Sequence, residues 1–195
     1  MRKIITLFKR NYDGDRQVFN EVMPGAEWVI NGEGVATLKI DGTCTMIENG
    51  LFFKRFELKA GKQAPEGFRA AQTPDPITGD TPGWLPVTEA REDRWHREAR
   101  AAAAASLADG TYELVGPKIQ GNPGGYATHQ LVRHGEIVLA DAPRTFDGLR
   151  LFLEKLYAEG KFIEGIVFWR EAGNPKSEMV KIKARDFGIR SPRKT

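Results

Sequence analysis

Apolar and polar residues alternate along several short stretches of this 195-residue chain, and that period of two predicts β-strands. RKIITLFKR, from Arg2, reads as a first strand and GVATLKI, from Gly34, as a second. CTMIENGLFFKRFEL, from Cys44 to Leu58, reads as a hairpin turning at Asn49-Gly50, a pair that accepts positive φ. TYELVG, from Thr111, is another strand, and HQLVRHGEIVLA, from His129, reads as a hairpin about His134-Gly135. FIEGIVFW and EMVKIKA, from Phe162 and Glu178, read as two closing strands. Elsewhere the pattern changes. Thr88 is placed to cap a helix through EAREDRWHREARAAAAASLA, rich in helix-forming alanine and ended by Asp109-Gly110. DGLRLFLEKLYAEG has the amphipathic spacing of a helix, with Thr145 or Asp147 as its cap and Gly160 as its stop. Residues 60–87, rich in Pro and Gly, read as an irregular insert, and long inserts of this kind are often functional. The sum is an α+β fold of antiparallel-rich sheets flanked by two main helices, expected as a single domain over 1–195.

Composition narrows the picture only slightly. Hydrophobic residues make up 41%, enough for a sizeable core, and the net charge of +3 permits a polyanionic partner without demanding one. The lone cysteine, Cys44, precludes an internal disulfide and points to a reducing compartment. The start is too short and too charged for a signal peptide, and no apolar run approaches the ~18 residues that span a membrane. A soluble, cytoplasmic protein is expected, with no membrane contact and no obligate protein partner.

The chemistry begins where the alternation carries the wrong residues. Lys39 ends an apolar strand just before Ile-Asp-Gly; Glu113 and Glu164 sit among apolar neighbours in YELVG and IEGIVF; Lys181 and Lys183 share one face of MVKIK because side chains alternate. A lone Lys-x-Asp-Gly is a weak signal, and any one of these residues is explained by a strand edge or a salt bridge. Charges on three further apolar strands, taken with Lys39, suggest a charged cleft, since buried charge is costly unless paired or bound to a ligand. A polyphosphate with a metal needs such a lining. A lysine amine attacking an α-phosphate must be neutral, and at the ordinary pKa of ~10.4 only about one in 2,500 is neutral at pH 7. Nearby cations favour the neutral form and also stabilise charge on the transferring phosphate.

Lys39-Ile40-Asp41-Gly42, Glu113 in YELVG, Glu164 in EGIVF and Lys181-Ile182-Lys183 occur in the order found in the covalent nucleotidyltransferases, the superfamily of polynucleotide ligases and mRNA capping enzymes, and the chain resembles that superfamily from Lys39 to Lys183. The resemblance implies a nucleotidyltransferase (ATP-grasp-like ligase) fold. It makes Lys39 the adenylated nucleophile, Glu113 a ribose contact, Glu164 the carboxylate of a Mg²⁺ or Mn²⁺ site, and Lys181 and Lys183 the phosphate-binding pair. Arg55 lies where the family often has a basic residue touching the nucleotide or the nucleic-acid end. DNA ligases and capping enzymes usually carry an arginine two residues after this motif's glycine, where this chain has Cys44. The chain also stops about a dozen residues past Lys183, so no C-terminal OB domain is expected. GEGVATLKIDGTC, PGWLPV, RWHREA, ELVGPKIQGNP and HQLVRHG together resemble the small single-domain ATP-dependent 5′-3′ RNA ligases of vertebrates, bacteria and phages. That resemblance implies joining of RNA 5′-phosphate and 3′-hydroxyl ends through a lysyl-AMP and an adenylated RNA end, as in RNA repair. An RNA-binding module or an adenylyltransferase of the same fold with another acceptor, and a DNA ligase, are the alternatives.

Other residues stay open at this point. Tyr126, His129, Leu131 and Phe146 are candidates for adenine stacking and equally for core. His129 and His134 read as hairpin surface positions and Cys44 as a small filler. Trp95 recurs with Ala99 on one helix face and reads as packing, whereas Trp84, inside the insert, is the better candidate for stacking on RNA bases. The basic segment ARDFGIRSPRKT reads as a loose tail.

Overall fold

A computed structural model describes residues 4–103 and 107–190. The start of the expected first strand, part of the alanine run and the end of the basic tail lie outside the described residues. In chain order the elements are β1 (Ile5–Thr6), β2 (Phe8–Arg10), β3 (Val18–Val22), α1 (Glu27–Ile30), β4 (Val35–Lys39), β5 (Thr43–Glu48), β6 (Leu51–Leu58), β7 (Arg69–Ala70) and β8 (Thr81–Pro86). There follow a 3₁₀ turn (Arg91–Asp93), α2 (Arg94–Ala101), β9 (Gly110–Val115), β10 (Gln130–Arg133), α3 (Phe146–Ala158), β11 (Gly165–Trp169), β12 (Met179–Lys183) and a 3₁₀ turn (Ala184–Phe187). The fold is α+β, with mostly antiparallel sheets and few helices. No helix among the described residues is long and apolar enough to cross a membrane.

The described residues fall into two compact units, one of Asp41–His134 and one of Ile4–Ile40 with the chain from Gly135 on. The Asp41–His134 unit is a six-stranded antiparallel sheet in the order β10-β9-β5-β6-β8-β7. Asn49 and Gly50 close the β5–β6 hairpin with φ of +52° and +73°, as their residue types predict. The expected insert is partly strand. β8 pairs with β6 over its whole length, prolines included. The Val87 N–H donates to Phe52 O, so by alternation the N–H groups of 83 and 85 also face β6, and Pro82 and Pro86 fall where none is needed. The helix expected from Thr88 starts only at Arg94. Thr88 instead donates its N–H and hydroxyl to Asp93, a fully buried carboxylate that also pairs with Lys54. Leu114, Ile119 and Ala99 pack together with Trp95 and Leu131.

The other unit holds a four-stranded sheet, β1-β12-β11-β4, antiparallel except for β1 against β12. The expected first strand breaks at buried Leu7, because β1 joins β12 while β2 pairs with β3. Ala36, Ile166, Phe168, Val180 and Ile182 enter one core with Leu149, Phe8 and Trp28. Thr145, rather than Asp147, caps α3 by accepting from the Gly148 N–H, and Gly160 follows its end at φ +74°. The hairpin expected about His134-Gly135 does not form. After Gly135 (φ +81°) residues 137–139 run beside β4, with Leu38 N–H donating to Ile137 O and Leu139 N–H to Ala36 O. Alternation marks a strand but not its partner. The start of the expected loose tail is a 3₁₀ turn. Its Asp186, 1% exposed, accepts from the Lys183 N–H and from Arg10 at 2.6 Å.

Candidate functional site

Alternation sorts the four-stranded sheet into two faces. Even-numbered residues of β4, β11 and β12 enter the core, so Lys39, Lys181 and Lys183 share the opposite face. The register sharpens this: Gly165 of β11 pairs with Lys39 on one side and with Lys183 on the other. The two lysines therefore flank a glycine. A Cβ at position 165 would meet Ile182 O at 2.1 Å and Lys183 Cα at 2.7 Å, so only glycine lets β12 approach this closely.

Glu164 immediately precedes that glycine and occupies the space between the two amines. Lys39 Nζ donates to Glu164 Oε2 at 2.5 Å, and Lys183 Nζ donates to Oε1. The three side chains are 20%, 16% and 13% exposed, so the group is largely withdrawn from water rather than a surface ion pair. Burial opposes the charge on Glu164, but Lys39 and Lys183 outweigh it and hold the carboxyl below its usual range. Lys181 lies one row further along the same face, opposite Val167. Among the described residues its amine has no carboxylate within ion-pairing distance. Burial, followed by the charges of Lys183 and Lys39, brings its pKa down to about 8. Two ammonium groups bracket the Glu164 carboxylate, and Lys181 stands alongside within electrostatic reach of Glu164 and of Asp186, itself paired with Arg10, which leaves a surplus of positive charge on a half-buried face. The expected amine among cations is thus found with a carboxylate interposed. Trp169 and Thr37 back the same face, the indole N–H donating to the Thr37 hydroxyl at 2.9 Å and that hydroxyl to Val167 O at 3.0 Å.

The remaining sequence candidates lie in the Asp41–His134 unit. Gly42 of the Lys-Ile-Asp-Gly stretch is required by close approach, not by positive φ: a Cβ there would meet Leu114 O at 2.3 Å. Glu113, 8% exposed, lies opposite Cys44, and its Oε2 is 2.7 Å from His134 Nε2. Arg55 lies half-buried across β6–β8 from Trp84, its guanidinium 5.1 Å from the indole centroid. Trp84 is 4% exposed in a core cluster with Met46 and Phe53, so its ring packs inside the protein instead of offering a stacking surface. His129 is no surface residue either. It is 4% exposed, stacked on Trp95 at 4.4 Å, with Nδ1 2.8 Å from Glu98. The pairing of His134 with Glu113 joins residues 21 apart and has no local signal in the sequence.

No protein-family model matches the sequence, and no curated protein matches it.

Proposed function

We propose that the protein is an ATP-dependent RNA ligase of the covalent nucleotidyltransferase type, with Lys39 as nucleophile and Lys181 and Lys183 as its phosphate-binding cations. The single observation that carries the reading is the half-buried pair Lys39 and Lys183 on Glu164 with Lys181 beside them on the same face, on strands whose other face is the hydrophobic core. Lys39, Lys181 and Lys183 face Glu164 and Asp186, the latter itself paired with Arg10, and Lys181 keeps its charge at a cost that a bound phosphate would remove. In the proposed first step the neutral Lys39 nitrogen forms a bond to the α-phosphorus of ATP. The bond from that phosphorus to the bridging oxygen breaks, pyrophosphate leaves, and the nitrogen sheds a proton to water. Lys181 and Lys183 neutralise the oxygens on which charge accumulates. Glu164 holds Lys39 in the resting protein and must release it for attack.

A divalent ion such as Mg²⁺ or Mn²⁺ fits if Glu164 is its protein ligand and phosphate oxygens and water complete the shell. Such an ion would polarise the phosphates and draw Glu164 away from Lys39. The resemblance assigns a ribose contact to Glu113 and a nucleotide or nucleic-acid contact to Arg55. The AMP would pass from Lys39 to the 5′-phosphate of an RNA, and a 3′-hydroxyl would displace it.

Incubation with ATP, Mg²⁺ and an RNA carrying a 5′-phosphate and a 3′-hydroxyl is expected to give joined RNA and a trace of adenylated 5′ end. Faster sealing of nicked DNA would make the protein a DNA ligase. Label on the protein without joined nucleic acid would make it an adenylyltransferase with another acceptor.

Lys181 makes the site sensitive to pH in a defined direction. Its amine titrates near pH 8 in the folded chain and near 10.5 when unfolded, so the folded state binds fewer protons between those values. Stability contributed through this group therefore rises with pH across the 8 to 10.5 window, by about 3 kcal/mol at most. Anion binding runs the other way, because a phosphate favours the charged amine. Titration calorimetry with ATP is expected to show affinity about tenfold weaker at pH 9.5 than at pH 7, with a Lys181→Arg variant much flatter over the same range.

A further inference from the structure

The six-stranded sheet brings a second set of chemically active side chains together, one that the nucleotide reading does not use as a set. Cys44 on β5 and Glu113 on β9 are direct cross-strand partners, so their side chains leave the same face. Glu113 pairs in turn with Val132 on β10, and His134, two residues beyond Val132, returns to that face. The thiol, a Glu113 carboxylate oxygen and a His134 ring nitrogen all lie within 4.8 Å of one another. The Glu113 and His134 side chains are 11% and 14% exposed, and Cys44 is half-buried.

Two polar atoms on this face lack hydrogen-bond partners among the described residues. One is His134 Nδ1, the other the hydroxyl of Thr111, two residues before Glu113 on β9. Buried polar atoms are rarely left unsatisfied without a reason; these two would remain for water to satisfy, and the case for an ion rests on the clustered donors of Cys44, Glu113 and His134. Histidine bonded to a carboxylate on one nitrogen, with a thiol beside it, is the donor set of a borderline-soft divalent ion. Thiolate and imidazole select zinc-like metals over Mg²⁺, which takes oxygen ligands. Three protein ligands leave a fourth tetrahedral position for water, the composition of an open site rather than a closed structural one. The charges also balance, since a thiolate and a carboxylate together match a divalent cation.

We infer that Cys44, Glu113 and His134 bind one zinc-class divalent ion. Binding releases the thiol proton to solvent, and the ion takes the place of the hydrogen between His134 Nε2 and Glu113. The inference does not rest on the ligase reading, since Lys39, Glu164, Lys181 and Lys183 take no part. Nor does it exclude a ribose contact, because ligation through one carboxylate oxygen leaves the other able to accept from a hydroxyl.

The chain carries a single cysteine, which makes the test direct. Tag-free full-length protein is titrated with Co²⁺, and the near-ultraviolet thiolate-to-cobalt charge-transfer band is recorded. One equivalent is expected to saturate the band, and Zn²⁺ should displace it. The Cys44→Ser variant should lose the band entirely. His134→Gln, which can still donate to Glu113, should bind more than about tenfold more weakly. Circular dichroism of both variants without metal serves as the folding control. Absence of a stoichiometric band in the wild type, or Cys44→Ser binding Co²⁺ as tightly as the wild type, would overturn the proposal and leave a His–Glu hydrogen bond beside a packed thiol.

Discussion

A Lys39→Ala variant should take up no AMP, while still binding ATP within a few-fold of the native affinity. The expectation follows from what each lysine would do. An alanine removes the nitrogen proposed to form the phosphoramide bond, so no residual rate through that route is expected. Lys39→Arg is expected to fail as well, since a guanidinium stays protonated and offers no lone pair. Binding would survive because the proposed phosphate contacts, Lys181 and Lys183, both lie on β12 and not on β4. The check is label retained on the protein after denaturation, with ATP affinity measured separately by calorimetry. Loss of both binding and labelling would point to a collapsed site, and undiminished labelling would remove Lys39 from the mechanism.

Replacing Glu164 with glutamine should produce the largest stability change on this face. The carboxylate accepts from both Lys39 and Lys183, and an amide cannot balance either charge. Removing one partner of a buried ion pair typically costs 3–5 kcal/mol; with these side chains still 13–20% exposed, a loss of about 2–4 kcal/mol is expected. Urea unfolding at neutral pH measures it. The sign is tested by a second substitution: Lys183→Met in the Glu164→Gln background should recover a large part of the loss, because it removes one of the uncompensated cations. Additive losses in the double variant would show that Glu164 stabilises by packing rather than by charge. The same pairing predicts acid sensitivity. The Glu164 carboxyl is held below its usual range, so its contribution is present above the ordinary carboxylate pKa and is lost as pH falls through the lowered value.

Elements with local signals were legible from the sequence. The Asn49-Gly50 hairpin, the Thr145 cap and Gly160 stop of α3, and strands β4, β9, β11 and β12 each rest on residues within a few positions of one another. What escaped depends on distant partners. β8 was hidden by Pro82 and Pro86, whose tolerance is apparent only once the N–H directions against β6 are known. The segment after Gly135 alternates like a hairpin arm, yet it bonds to β4 rather than to β10. Asp186 looked like part of a solvated tail until Arg10, 176 residues away, came to meet it.

The candidate site divides the same way. Period-two alternation was enough to put Lys181 and Lys183 on one face. The placement of Glu164 between Lys39 and Lys183 required the register that sets both lysines against Gly165. The Cys44–Glu113–His134 group was not legible at all, because its members come from three strands and their meeting depends on the pairing of β5, β9 and β10.

The most direct test of the central claim is to locate the adduct. Native protein is incubated with ATP and Mg²⁺, its intact mass is recorded, and it is then digested and its peptides sequenced by mass spectrometry. The account predicts a gain of one AMP, carried on Lys39 within the stretch Val35–Lys39 and its flanks. An unchanged mass, or an AMP found on any other residue, would contradict it.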